Sequence, residues 1–363
     1  MEAKFPSGTV SLINDLVEKA VSLNASDVHI EPGSMNLRVR YRVDGILQNG
    51  ILVSRSMHQQ IISRIKIMAD LDISEQRVPQ DGRAFIKVSG KEFDLRISVI
   101  PTIFGEKAVL RLLERNRPSL PLESLGFQPE DLDHFKKSIT RPQGMIVVCG
   151  PTGCGKTTTL YSSLEKINRD DINIMTIEDP VEYQLGGINQ MQVNNKTGLT
   201  FAKGLRGMLR QDPDVIMVGE IRDTETAGVA LQAAMTGHLV LSTLHTNDAA
   251  SAVTRLIDMG IEPYLISDTL ICVISQRLLR KICTVCGAKG CRSCGGTGYK
   301  GRIGVFEMMR ASPQVRDCIA KRPDIKAITK ASGHRSMMDG AKVLLDQGMT
   351  TPEEINRTVN IET

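Results

Sequence analysis

Residues 11–24, SLINDLVEKAVSLN, place Leu12, Ile13, Leu16, Val17, Ala20 and Val21 at helical spacing, so one amphipathic helix opens the chain. Strand patterns follow: ASDVHIE at 25–31, MNLRVRYRVDGIL at 35–47, RAFIKVSGKEFDLRIS at 83–98 and EKAVLRLL at 106–113. Asp44-Gly45 and Ser89-Gly90 are turn signals inside the two longer segments, and the spacing predicts a helix over 56–69. The first 113 residues therefore read as a compact α/β domain. Residues 114–129 lose periodicity and carry Pro118, Pro121 and Pro129, which marks an interdomain linker. Beyond it, short apolar runs alternate with helical stretches: MIVVCG then 156–168, INIMTIED then 199–210, DVIMVGE then 223–235, HLVLSTL then 247–259. Runs apolar on both faces suit a parallel sheet covered by helices. A helix is expected around 267–280, followed by a cysteine-bearing segment and a helical tail. Two tail helices open with Ser312-Pro313 and Thr351-Pro352, an N-cap followed by proline at the first helical position.

Composition narrows the class. At 363 residues, with 41% hydrophobic and 24% charged side chains, the chain has the make-up of an ordinary globular protein of two domains, which excludes collagen-like, disordered and coiled-coil readings. No apolar stretch approaches the roughly 20 residues of a membrane span. Eight Phe, five Tyr and no Trp leave few stacking platforms, and 45 basic against 41 acidic side chains give a net charge of only +4. A nucleic-acid partner is therefore not expected.

The sharpest chemical signal is Gly150-Pro151-Thr152-Gly153-Cys154-Gly155-Lys156-Thr157, a G-x-x-x-x-G-K-T loop that follows an apolar strand and leads into the helical stretch 156–168, with Thr158 the next nucleotide-binding candidate. Its glycines let backbone N–H groups curl around a β-phosphate, Lys156 reaches the β and γ phosphates, and Thr157 offers a hydroxyl to Mg²⁺. Phosphoryl transfer to water then needs a carboxylate. Glu220, just beyond the run Val215–Val218, is placed to polarise the attacking water, and Glu178 and Asp179 end a neighbouring strand at the same edge. His245 follows a third strand and could sense the γ-phosphate or the water. His238 begins that strand, nearer the opposite edge. A positive charge for the transition state could come from Arg77, Arg83, Arg96, Arg206, Arg210 or Arg222. A partner surface is also implied, because hydrolysis alone does no mechanical work.

Four of the eight cysteines, Cys283, Cys286, Cys291 and Cys294, form two C-x₂-C pairs separated by Gly287–Gly290. Four thiolates suit a closed, structural Zn²⁺ site; an iron–sulfur cluster or free thiols are the alternatives. Cys149, Cys154, Cys272 and Cys318 read as small apolar fillers. Residues 277–302 hold seven basic side chains and no acidic one, a charge that offsets the zinc thiolates and could face anionic headgroups or an acidic partner.

The motifs GPTGCGKTTTLYSSL, TIEDPVEY and DPDVIMVGEIRDTETAGVALQAAMTGHLVLSTLHTNDA, with SDVHIEP, RVRYRVDG and QRVPQDGR upstream, resemble the secretion-superfamily ATPases of type II secretion and type IV pilus assembly. The resemblance runs from about residue 11 to the C-terminus. It implies a PAS-like N-terminal domain over 1–113 and a RecA-like ATPase domain over 130–363, joined by the 114–129 linker. It also implies a cytoplasmic homo-hexamer that binds ATP, Mg²⁺ and Zn²⁺ and associates peripherally with the bacterial inner membrane. The partners would be the membrane platform protein and a cytoplasmic domain of a second inner-membrane protein. Within the family's pattern, 150–157 is the Walker A loop, Glu178 lies in the acidic box, Glu220 is the Walker B glutamate, and His238 and His245 belong to the histidine box. Arg83 and Arg96 match the arginines that complete the site on closure. The tetracysteine element is similar to that of the assembly and secretion branch rather than of the retraction motors, though its spacer is shorter than the family's usual form. About ten residues precede the PAS-like region, which leaves open recruitment through the extra N-terminal domain many relatives carry. A retraction motor, a nucleic-acid translocase and a nucleotide-binding structural adaptor are the alternative functions.

Overall fold

The computed structural model describes residues 8–115 and 120–359. The chain divides into two compact units, Met1–Arg117 and Pro118–Thr363.

In the first unit the elements run α1 (Thr9–Ser22), β1 (Ala25–Pro32), β2 (Asn36–Val43), β3 (Ile46–Ser54), α2 (His58–Met68), β4 (Gln80–Val88), β5 (Lys91–Thr102) and β6 (Gly105–Glu114). The strands form one antiparallel sheet in the order β3-β2-β1-β6-β5-β4. Leu12, Leu16, Ile61 and Ile65 of the two helices pack with Val28, Ile30, Leu95, Ile97 and Leu110 into one core. Asp44-Gly45 and Ser89-Gly90 do turn the hairpins, all four residues having positive φ, as a two-residue loop matched to strand twist requires. The open face is strongly charged. Arg42, Asp27, Arg111, Arg96 and Arg83 are opposite one another across five successive strands.

The second unit runs α3 (Pro129–Ser138), β7 (Gly144–Cys149), α4 (Lys156–Ile167), β8 (Ile174–Glu178), β9 (Asn189–Gln192), α5 (Phe201–Met208), β10 (Val215–Val218), α6 (Thr224–Met235), β11 (Leu239–Leu244), α7 (Ala249–Asp258), α8 (Pro263–Thr269), β12 (Leu270–Ile282), β13 (Tyr299–Arg310), α9 (Pro313–Ile319), α10 (Ile325–Ser332), α11 (Met337–Asp346) and α12 (Pro352–Thr358). Its sheet order is β13-β12-β7-β11-β10-β8-β9, parallel except at β13. Met145, Val147 and Cys149 enter the core on one face of the sheet, while Ile146 and Val148 enter the core on the other. Burial on both sides is what the uninterrupted apolar runs require.

Residues 116–119 of the expected linker lie outside the described residues. Its later part folds onto the second unit, with a 3₁₀ turn at Leu122–Ser124 and Leu122 and Leu125 buried beside Phe135 and Leu160. The expected helix around 267–280 is a correction. Only Pro263–Thr269 is helical there, and 270–282 is strand β12, paired in parallel with β7 and antiparallel with β13. An apolar run of this length fits both periods, and the β-branched Ile271, Val273 and Ile274 suit the pleated, doubly buried environment that tertiary pairing supplies. The tail caps form as expected: Ser312 accepts from the Val315 N–H and Thr351 from the Glu354 N–H.

Candidate active site

Strand order decides which side chains meet. β7 leads into the 150–157 loop, β10 leads to Glu220, and β11 lies between them, so the C-terminal ends of three neighbouring strands deliver the loop, the carboxylate and His245 to one edge. Gly150, Gly153 and Gly155 take φ of +143°, +79° and +95°, which only glycine adopts freely. Lys156 begins α4 and is buried, donating to the carbonyls of Gly150 (2.7 Å) and Pro151 (3.2 Å). Burial lowers its pKa, offset in part by nearby Glu220. Thr157 and Thr152 are exposed, Thr158 is half-buried and Cys154 is buried, as expected for a filler.

The turn carrying Glu220 is tied down by its neighbour strand. Ser242 donates to the Val218 carbonyl (2.8 Å), Thr243 donates to the Gly219 carbonyl (2.7 Å), and the Ile221 N–H donates to the Thr243 carbonyl (3.0 Å). Glu220 is thereby presented between two bases. Arg222 Nη2 is 2.5 Å from Oε1, and His245 Nε2 is 3.4 Å from Oε2. The same arginine lies 3.7 Å from Asp179, and its bond to Glu220 raises its pKa. A carboxylate oriented in this way at the edge of a phosphate loop can accept a proton from water.

Glu178 is brought to that edge but faces inward. It is 3% exposed and accepts hydrogen bonds from the Thr176 hydroxyl (2.6 Å), the Gln190 amide (3.1 Å) and the Tyr161 hydroxyl of α4. Burial lifts its pKa despite these donors. The geometry makes Glu178 a tie between β8, β9 and α4. His238 stands apart: it precedes β11, its ring nitrogen lies 3.0 Å from the Ala233 carbonyl, and its own carbonyl accepts from Gly144 at the start of β7. Both strands run their full length between it and the phosphate loop.

Of the candidate arginines, Arg77 pairs with Glu75 and Arg206 with Glu225, both at exposed positions. Arg210 donates to the Arg206 carbonyl. Arg83 and Arg96 are direct cross-strand partners and, with Arg111, Asp27 and Asp81, line a cavity of 450 Å³ in the first unit. Arg111 is held there by Asp27 at 2.9 Å.

The four cysteine sulfurs lie within 4.8 Å of one another, with three pairs at 3.7, 3.8 and 3.9 Å. A tetrahedron with Zn–S bonds of about 2.3 Å has edges of about 3.8 Å, so the set fits zinc. The backbone N–H groups of Cys291 and Gly298 donate to the Cys294 sulfur at 3.1 and 3.3 Å, as a metal-bound thiolate requires. The base of this element is gripped by the C-terminal helix, where buried Glu354 accepts from Arg280 and Arg357.

Two contacts have little local signal in the sequence. Tyr161 looks like one more apolar residue of α4, and Gln276 is marked only as a polar residue inside an apolar run. Both are buried: Tyr161 reaches from α4 to Glu178 of β8, and Gln276 reaches from β12 to Thr159 of α4 and to the Cys154 carbonyl of the loop.

A phosphate loop at the head of a mostly parallel sheet, with an acidic strand two positions away, defines an α/β P-loop nucleotide-binding protein. A model described as type II/IV secretion system protein matches residues 4–357, and the chain belongs to that family of ATP-binding secretion ATPases. It is 48% identical over 359 residues to the type II secretion system protein HxcR of Pseudomonas aeruginosa, covering 96% of this chain and 76% of that protein. The type IV pilus assembly ATPase PilB of Myxococcus xanthus is 45% identical over 385 residues, with coverage of 95% and 68%. Among solved structures, the pilus retraction motor PilT with bound ADP is similar with a TM-score of 0.68 at 30% identity, covering 94% of this chain and 95% of that one.

Proposed function

We propose that the chain hydrolyses Mg-ATP as a subunit of a cytoplasmic hexameric motor that drives pseudopilus or pilus assembly for type II protein secretion. The observation that carries the reading is Glu220, held between His245 and Arg222 beside the phosphate loop. In this reading residues 150–158 bind the nucleotide, with Lys156 turning from its backbone partners to the β and γ phosphates. Thr157 holds Mg²⁺, which would neutralise charge on those phosphates. Glu220 accepts the proton of the attacking water, and His245 orients the carboxylate. Glu178 positions the end of β8 against α4. Arg83 and Arg96 are assigned to the charge that develops in the transition state, and His238 to the strand's far end rather than to the reacting atoms. Cys283, Cys286, Cys291 and Cys294 hold a structural Zn²⁺, leaving no open position for catalysis.

Type II secretion is favoured by the 48% identity to HxcR, and pilus assembly is the second reading, favoured by the 45% identity to PilB. Partners are the inner-membrane platform protein and a cytoplasmic domain of a second membrane protein. No helix among the described residues is long and apolar enough to cross a membrane. Phosphate release by the purified chain, with and without DNA, tests the reading. Mg-dependent turnover indifferent to DNA supports it; stimulation by DNA would favour a translocase, and nucleotide binding without turnover in an assembled ring would favour an adaptor.

A further inference from the structure

Gln276 comes from β12, 122 positions along the chain from Cys154, and its side chain is 1% exposed. Its Nε2 donates to the Cys154 carbonyl at 2.7 Å, and its Oε1 accepts from the Thr159 hydroxyl of α4 at 2.8 Å. A carbonyl can only accept, so the amide has a single orientation that satisfies both partners. The β12 backbone presses on the same loop. A Cβ on Gly150 would lie 2.7 Å from the Gln276 carbonyl oxygen, and one on Gly155 would lie 3.1 Å from Nε2.

We propose that Gln276 is a positioning residue of the phosphate loop, one that aims the Gly155 N–H at the bound polyphosphate. In a trans peptide the carbonyl and the following N–H point in opposite directions. Drawing the Cys154 carbonyl toward β12 therefore turns the Gly155 N–H away from β12, toward the side of the loop that α4 opens onto. The Thr159 bond fastens the same amide to the first turn of α4, so loop and helix keep one relative orientation. Replacing the amide by an apolar group would leave a buried carbonyl without its donor and free the 154–155 peptide to rotate.

The inference rests on reading 150–157 as the nucleotide loop. The test is binding of a fluorescent ATP analogue with Mg²⁺ to the full chain, for wild type and Gln276→Glu, at pH 8 and pH 5.5. At pH 8 a carboxylate would face the Cys154 carbonyl, two acceptors with no proton between them. Affinity is expected to fall about tenfold or more. At pH 5.5 the buried carboxyl takes up a proton and can donate again, so affinity should return to within about threefold of wild type. A variant within twofold of wild type at pH 8, or a loss that persists unchanged at pH 5.5, would overturn the proposal. If the glutamate variant does not fold, Thr159→Val and Thr159→Ser carry the same question. Valine should weaken binding and serine restore it, and equal affinities would overturn the proposal. Failure of the wild type itself to bind would refute the nucleotide reading instead, which keeps the two claims apart.

Discussion

Glu354→Gln should detach the C-terminal helix from the base of the tetracysteine element and destabilise the second unit by about 3 kcal/mol at pH 7. Glu354 is 1% exposed. One oxygen accepts from the Arg280 backbone N–H (3.0 Å) and Arg357 Nη2 (2.5 Å), the other from Arg280 Nε (2.9 Å) and Nη2 (2.7 Å) and Arg357 Nε (2.9 Å). Burial alone would raise its pKa, but these cationic donors outweigh burial and hold it near 2, against an ordinary 4.5. A depression of that size corresponds to about 3 kcal/mol of preference for the charged form in the folded state. Breaking a buried pair from one side costs a similar amount, because the guanidinium of Arg280 keeps its desolvation without its partner. Glutamine preserves the shape but turns an NH₂ toward one of the arginines. In thermal unfolding at pH 7 the variant's second-unit transition should lie about 6–12 °C below wild type. The stabilisation is complete above pH 4.5 and is lost as pH falls through 2, so the two proteins should converge at strongly acidic pH. A variant melting within 2 °C of wild type at pH 7, or a gap that widens on acidification, would refute the argument.

Metal analysis of the purified chain should find one zinc per subunit, and Cys291→Ser with Cys294→Ser should abolish it; a metal-free but correctly melting wild type would count against the site. Arg83→Ala and Arg96→Ala should each leave ATP affinity within about threefold while lowering turnover by about 10³, read as a kcat loss without a KM change. Glu178→Gln should keep more activity than Glu220→Gln, because Glu178 is spent on Tyr161, Thr176 and Gln190. The reverse order in steady-state turnover would move the base from Glu220 to Glu178.

The local signals in the sequence were those whose chemistry is contained in a few adjacent residues. Glycine and lysine spacing at 150–157, the paired turns at Asp44-Gly45 and Ser89-Gly90, the serine and threonine caps and the cysteine pairs each specify their geometry without distant help. What was not legible depends on pairing across the chain. β12 takes its form from β7 and β13, more than 100 and about 20 residues away, so periodicity alone could not separate strand from helix. β13 escaped the sequence pattern because YKGRIGVFEMMR mixes glycine and charge with its apolar residues, and its burial comes from the helices that cover it. Glu178 and Glu220 look alike in sequence, each an acid at a strand's end. They part only in three dimensions, where α4 supplies a tyrosine to one and β11 a histidine to the other.

Glu220 is assigned the activation of water beside a bound nucleotide. Phosphate release at saturating Mg-ATP, measured for wild type and Glu220→Gln with nucleotide binding determined on the same samples, tests it most directly. Turnover is expected to fall by about 10² to 10⁴ with ATP affinity retained within about threefold. A Glu220→Gln protein that binds ATP and still hydrolyses it at the wild-type rate would contradict the assignment.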